Sequence, residues 1–487
     1  MFSPVRGGLT PWRPRRRRVS RICLGIPAPG KVVSKGASEL TLRRWEEVHM
    51  SQETPSLEQR GIDIIPKSER TVGFWDLFVI WAGFSIIMTN FLLGALGVGI
   101  GIGPAMIAHM FGILIVAGVV WLGTIIGSEQ GIAGTVAMRS AFGINGRYIA
   151  SIVMFIVGVG WFGVQTGMVG SAAYQIVKDL VPAIAFTPKV WMVITGVLMA
   201  SVAIFGYGAI VWLNRLAIPG LIVLLVWLTY KIFTVYSDKL SAYHPTGDMT
   251  FFAVINLIPA GMAAALILGA DYGRYVKSQR AALGAPVSVL IFFAVVALLG
   301  VVSAAAAGNW DPVQIFVSLG LGVFGLLMLI LAAWTTNVTN IYVASLALAN
   351  ITGWLRVRTS IIASVVGILL GLAGIYSFQG LVNYLTLITA LLIPTTGVLV
   401  VDYFVRNRRQ ILAEELFKKE DSAYWFHRGW NIRAVIAWVT GAIVTVVVPD
   451  SWIPAVSAMI ASGVVYYLLT MNVETVTSRR PTETVSR

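Results

Sequence analysis

Charge is scarce in this chain. Of 487 residues, 12% are charged and 57% are hydrophobic, about half the charge of an average soluble domain. That excludes a water-soluble globule and points to a polytopic all-α membrane protein. Cysteine is almost absent. The single Cys23 cannot close an intrachain disulfide, so redox chemistry between paired thiols is excluded. The four histidines, His49, His109, His244 and His427, lie far apart and form no metal-ligand spacing. No phosphate-binding loop, metalloprotease pair or nucleophile–base spacing occurs. The glycine-rich stretch 94–103 lacks the Lys-Ser/Thr of a phosphate loop. An enzyme is not expected.

Positive charge is present in excess, with a formal net charge of +14. Much of it lies in one place. Residues 1–49 hold eleven Lys/Arg against three Glu, a balance of +8. This reads as a basic arm or as a tail without a role in the membrane domain, not as a nucleic-acid surface. Arg15 to Arg18 resemble the charged start of an export signal, but no apolar stretch of the required length follows. Met50-Ser51-Gln52-Glu53 reads as a natural start, because the codons of Trp45-Glu46-Glu47 permit a ribosome-binding sequence just upstream. Residues 1–49 are therefore expected to be untranslated leader within a cytoplasmic tail, 1–73. The rival is an Arg-rich organellar transit peptide.

Apolar runs of about 20 residues are needed to cross a ~30 Å hydrocarbon layer. Twelve are read here: 75–99, 104–127, 148–177, 190–207, 210–234, 251–270, 282–307, 314–349, 359–377, 379–404, 432–448 and 452–470. Together they form a transmembrane domain, 74–470, followed by a short cytoplasmic tail, 471–487. Beyond residue 74, one set of alternate loops holds eighteen Lys/Arg and the other only Lys178, Lys189, Lys231 and Lys239. Basic residues stay cytoplasmic, so both termini are expected inside.

Two spans look interrupted. The first passes through Ala82-Gly83-Phe84-Ser85 and then Thr89-Asn90; the sixth contains Pro259-Ala260-Gly261. Glycine and proline loosen the helical ladder and free backbone carbonyls. If spans 1–5 and 6–10 are repeats, the breaks correspond, and paired broken helices point to a transporter's midplane site. The alternative is that these residues merely kink or pack.

Candidate binding groups lie on the third and eighth spans. Trp161 and Gln165 are four residues apart and share a helix face. An indole beside a carboxamide suits a flat polar heterocycle, which stacks on the ring and exchanges hydrogen bonds with the amide. The alternative is ordinary helix packing around Gly158, Gly160 and Gly163. Trp334-Thr335-Thr336-Asn337-Val338-Thr339-Asn340 sets hydroxyls and carboxamides inside an apolar segment, where unpaired polar atoms are costly. Thr335 and Thr336 offer uncharged oxygens that hold a desolvated Na⁺ together with carbonyls freed near Gly83 and Ile86. The alternative is that the hydroxyls bond back to their own helix. Acids within 74–470 are few and lie mostly at span ends, among them Glu129, Asp271 and Asp402. That tilts the coupling ion toward Na⁺ over H⁺. Asp271-Tyr272 and Asp402-Tyr403 read as end-of-helix or gating pairs.

Further strings complete a pattern. Arg139-Ser140-Ala141-Phe142-Gly143-Ile144-Asn145-Gly146, Gly160-Trp161-Phe162-Gly163, Ala270-Asp271-Tyr272, Trp334-Thr335-Thr336-Asn337, Ala349-Asn350-Ile351-Thr352-Gly353 and Asp402-Tyr403 run in one order across residues 70–470. In this the sequence resembles the nucleobase–cation symporter-1 family, the purine–cytosine permeases, with its nearest likeness among bacterial cytosine permeases. The resemblance implies a leucine-transporter-like fold: inverted five-helix repeats at about 74–235 and 250–404, plus two extra helices at about 432–470. It implies that Trp161 stacks on the solute and Gln165 binds it, with Asn337 and Asn340 as further amide contacts. It implies Na⁺ on Thr335, Thr336 and the carbonyls of Gly83, Ile86 and Ala332. The family's second aromatic slab falls on Met262, beside Gly261. A thioether covers a ring face, but the family's cytosine branch has Gln at Gly158 and Asn at Ala332. The solute class therefore transfers better than cytosine itself. The expectation is a monomeric membrane symporter for a nucleobase-like heterocycle with Na⁺ and no other cofactor. The alternatives are a proton-coupled permease for hydantoin, allantoin or hydroxymethylpyrimidine-like solutes, and a membrane receptor that does not transport.

Overall fold

The structure is a computed structural model that describes residues 63–479 except Gly206. The basic arm, the Met50 start and Cys23 lie outside the described residues.

The described chain is helical. The first span is a bent pair, α1 (Phe74–Ser85) and α2 (Met88–Leu96), turning by 58° at the break. Ile86 and Ile87 leave helical geometry there, and Asn90 Nδ2 donates to the freed carbonyls of Phe84 (3.2 Å) and Ser85 (2.9 Å). Next come α3 (Ile102–Gln130), α4 (Gly134–Phe142) and α5 (Gly146–Leu180). At ~1.5 Å per residue α5 exceeds the membrane thickness, as its long apolar run predicts. α4 was not expected; it occupies what reads as a loop.

Then follow α6 (Pro188–Phe205) and α7 (Tyr207–Val235). The sixth span is again split, into α8 (Phe251–Gly261) and α9 (Ala265–Gly273). Pro259 in α8 has no N–H to give Ile255, whose carbonyl sits where a Cβ on Gly112 of α3 would be. The chain continues as α10 (Gln279–Ala307), α11 (Pro312–Ser318) and α12 (Gly322–Thr352). The eighth span is thus shorter than the 314–349 run suggests. Gly320 and Gly322 take φ of +61° and +60°, left-handed values that break a helix whatever its hydropathy. The order closes with α13 (Arg356–Leu372), α14 (Phe378–Arg406), α15 (Ile432–Val447) and α16 (Pro454–Thr470).

Among the described residues, six helices are long and apolar enough to cross a membrane, seven if α1 and α2 form one span. Small residues bring the helices together. Gly123 and Gly127 of α3 lie against the carbonyls of Leu266 and Ala270 on α9, and Gly269 and Gly273 answer them against Val120 and Thr124. The same device joins α2 to α10: Gly94 meets Ala297, and Gly300 meets Phe91. The second half of each broken span is therefore seated on an unbroken helix by reciprocal glycines.

Candidate solute-binding site

A cavity of ≈ 160 Å³ lies where the two helix breaks meet α5, α12 and α14. From the first break come Phe84, Ile87, Thr89 and Asn90, and from the second Gly261, Met262, Ala263 and Ala264. Trp161 and Gln165 enter from α5, and Thr336, Thr339 and Asn340 from α12. No charged side chain is among its lining residues. It reaches Met154, Leu268 and Val343, so it extends from the level of Gln165 toward the arginine-rich helix ends.

Trp161 is 7% exposed and is held from behind by Tyr384 of α14. Gly160 leaves room for the phenol, whose ring occupies the position of a Cβ there. The Tyr384 hydroxyl donates to the Val157 carbonyl at 2.7 Å. Its ring meets the indole edge-on, with centroids 5.5 Å apart at 89°. Gly158 lets α12 approach, with the Asn340 carbonyl 2.7 Å from the place of its missing Cβ. Gln165 is 2% exposed, and its Oε1 is buried without a hydrogen-bond partner. A buried carboxamide oxygen without a partner is costly to the fold alone.

The structure brings together Trp161, Gln165, Gly261, Met262, Thr336 and Asn340. It does not place Asn337 on the cavity wall. Asn337 is fully buried, and its Nδ2 donates to the Phe162 carbonyl at 3.3 Å, binding α12 to α5. Direct contact by Asn337 is therefore corrected to support of Asn340, whose Nδ2 donates to Asn337 Oδ1 at 3.3 Å. Two contributors went unassigned in the sequence. Asn90 was visible as a carboxamide just after the first break. Tyr384 carried no local signal.

The residues read as a cation site are neutral oxygens. Thr335 and Thr336 donate to the Ala332 carbonyl at 2.9 and 3.0 Å, the back-bonding that such helices favour. Each hydroxyl keeps its lone pairs. The Gly83 and Ile86 carbonyls receive no backbone N–H at the break, and nothing lies within 4 Å of where a Gly83 Cβ would be. Thr336 shares the cavity with Phe84 and Ile87, the neighbours of those carbonyls. Such a set fits a desolvated monovalent cation. Among the described residues no group of His, Cys, Asp or Glu could hold a metal ion.

The acids read as gates bracket α4. Asp271 Oδ1 accepts the Gly134 N–H at 2.8 Å at one end. Asp402 accepts Ser140 Oγ at 3.1 Å near the other, and also the Tyr466 hydroxyl at 2.7 Å.

Broken helices around an uncharged cavity define a helical membrane transporter for a small solute. The family model described as "Permease for cytosine/purines, uracil, thiamine, allantoin" matches residues 64–469. The chain belongs to this purine–cytosine permease family. It is 27% identical to the cytosine permease of Escherichia coli K12 over 71% of this chain and 81% of that one. It is 25% identical to the hydantoin permease of Microbacterium maritypicum, over 79% and 83%, and 26% identical to the purine-uracil permease NCS1 of Arabidopsis thaliana, over 83% and 73%. Among solved structures it is similar to the inward-facing conformation of Mhp1, with a TM-score of 0.74 and 21% identity over 85% of this chain and 93% of that one. For Mhp1, a nucleobase-cation-symport-1 transporter, in a closed conformation with bromovinylhydantoin bound, the TM-score is 0.69, at 22% identity over 84% and 94%. The fold is leucine-transporter-like.

Proposed function

We propose that this protein imports an uncharged, planar nucleobase-like heterocycle together with Na⁺ by alternating access. The observation that carries the reading is Gln165: a buried carboxamide with an unpartnered oxygen, one turn from an indole braced from behind. The solute stacks on Trp161 with Met262 opposite or beside it. Stacking of a base on an aromatic side chain contributes roughly 1–3 kcal/mol. Gln165 then supplies both a donor and an acceptor to the ring edge. The relatives named cytosine, hydantoin and purine-uracil permeases support this solute class.

Na⁺ binds Thr335, Thr336 and the carbonyls of Gly83, Ile86 and Ala332, tying α1 to α12 and organising the cavity. The uncharged lining supports a cation whose carrier need not release a proton. One Na⁺ moving down −100 mV supplies roughly 2.3 kcal/mol, which sustains about fifty-fold accumulation. The domain comprises two inverted repeats, 74–235 and 250–404, with twelve spans and both termini cytoplasmic. On that orientation the cavity, reaching Met154 and Val343, belongs to the inward-facing state.

The test is uptake of radiolabelled cytosine, adenine and hydantoin into proteoliposomes, with and without a sodium gradient. Trp161→Ala is expected to abolish uptake while the protein still inserts. Unchanged uptake by that variant, or uptake by the parent that follows pH and ignores sodium, overturns the corresponding half of the reading.

A further inference from the structure

The orientations of three side-chain amides around the cavity are forced by carbonyls they touch, which fixes what each shows a ligand. The Phe162 carbonyl can only accept, so the Asn337 group facing it is its NH₂, at 3.3 Å. That leaves Asn337 Oδ1 toward Asn340, which must answer with its own NH₂, at 3.3 Å. Asn340 lines the cavity, and its Oδ1 keeps both lone pairs beside the one N–H that Asn337 does not take. The same reasoning applies across the cavity. Two carbonyls, of Phe84 and Ser85, take the NH₂ of Asn90 at 3.2 and 2.9 Å. Asn90 also lines the cavity and is left with Oδ1. Only Gln165 has neither amide atom committed to the protein, and its Oε1 is buried and unpaired. The wall thus offers acceptor oxygens from two sides and one carboxamide that both donates and accepts.

We propose that this acceptor-biased lining selects heterocycles bearing an exocyclic amino group over their oxo counterparts, with Asn340 as the contacting residue and Asn337 as its positioning residue. The proposal rests on the transport reading above and narrows its solute class. An amino group brings two N–H donors to one ring position, so it serves Gln165 and a second oxygen together. An oxo group at that position turns a lone pair toward the Oδ1 of Asn340 or Asn90, and an amide oxygen has no proton to meet it. Replacing one satisfied hydrogen bond by a facing pair of acceptors costs about the free energy of a tenfold change in affinity or more.

The experiment measures binding of three matched pairs to the purified, detergent-solubilised full chain by calorimetry in sodium-containing buffer. The pairs are cytosine and uracil, adenine and hypoxanthine, and 2,6-diaminopurine and xanthine. In each pair that binds, the amino member is expected to bind at least about tenfold more tightly. Asn340→Ala is expected to bring that ratio close to one. Asn337→Ala, which leaves Asn340 present but free to turn, is expected to shrink the ratio in the same sense. If Asn337→Ala does not fold, Asn340→Ala decides alone. Equal or tighter binding of the oxo members, or an unchanged ratio in Asn340→Ala, overturns the proposal. If no member of any pair binds, the nucleobase reading itself fails, and the selectivity proposal falls with it.

Discussion

Tyr384 braces Trp161 through a gap that only glycine can leave. The phenol lies over Gly160, anchors on the Val157 carbonyl at 2.7 Å and meets the indole edge-on at 5.5 Å. The stacking surface is thus set from α14, more than two hundred residues away in sequence. Gly160→Ala puts a methyl into the Tyr384 ring, which cannot stay where it is. Apparent solute affinity should fall by about tenfold or more, because a displaced indole loses part of a ~1–3 kcal/mol stacking contact. Tyr384→Phe keeps the ring and removes only the hydrogen bond, so its loss should be smaller. Equilibrium binding to both variants checks the order. A larger loss for Tyr384→Phe refutes the bracing role.

The hydroxyl pair makes a separate prediction about the ion. Thr335→Ser with Thr336→Ser keeps both oxygens, and Thr335→Val with Thr336→Val keeps the volume and removes them. If Na⁺ binds these oxygens, the serine variant should retain sodium-stimulated uptake, and the valine variant should lose the stimulation while keeping some solute binding. The measurement is solute affinity as a function of sodium concentration. Loss of sodium dependence in both variants would show that the methyl packing, not the oxygens, matters.

Much of this was legible in the sequence because the bilayer leaves polar residues few explanations. The broken spans at Gly83 and Pro259, the Trp161–Gln165 face and the Thr336–Asn340 string all reach one cavity. What was not legible depends on partners distant in sequence. Asn337 reads like Asn340 by type and spacing, yet the Phe162 carbonyl on another helix turns it away from the cavity. Tyr384 reads as one aromatic among many in an apolar helix. The false start of the eighth span had a local cause: Gly320-Leu321-Gly322 is apolar enough to look continuous, and left-handed φ values at its glycines end the helix.

A pH dependence follows from the connection that precedes α11. Asp311 Oδ1 accepts the Tyr376 hydroxyl at 2.5 Å and the Val313 N–H at 2.9 Å. Burial pushes the Asp311 carboxyl above the usual carboxylate range, and the hydrogen bonds from Tyr376 and Val313 only partly offset it. The folded state therefore holds this proton more firmly than the unfolded chain. Its contribution to stability grows as pH falls from the raised folded value toward the ordinary one, and is lost as pH rises back through that window. Asp311→Asn should flatten this part of the stability profile. Tyr376→Phe should destabilise by about 1–3 kcal/mol when Asp311 is ionised, and by less when it is protonated. Thermal unfolding in detergent across mildly acidic to neutral pH measures both; a parent profile that rises with pH through the window contradicts the assignment.

Asp402 gives the steepest prediction for a single side chain. It is 2% exposed and gathers the Tyr466 hydroxyl at 2.7 Å, Ser140 Oγ at 3.1 Å and the Arg406 guanidinium at 3.8 Å. It thereby fastens α4 and α16 to the end of α14. Removing one neutral donor deletes one bond and leaves the others. Ser140→Ala is the milder case, since its hydroxyl is shared with the Ala137 carbonyl at 2.9 Å, and Tyr466→Phe is the stronger; each should cost about 0.5–1.5 kcal/mol. Asp402→Ala removes all three contacts at once: the Tyr466 hydroxyl loses its acceptor, and Arg406 loses its counter-charge and keeps the Thr470 and Val473 carbonyls, so about 3 kcal/mol or more should be lost. Thermal unfolding of the three variants in detergent sets the order. A carboxylate that matters only as a surface charge predicts the opposite: three small and equal effects that disappear at high salt.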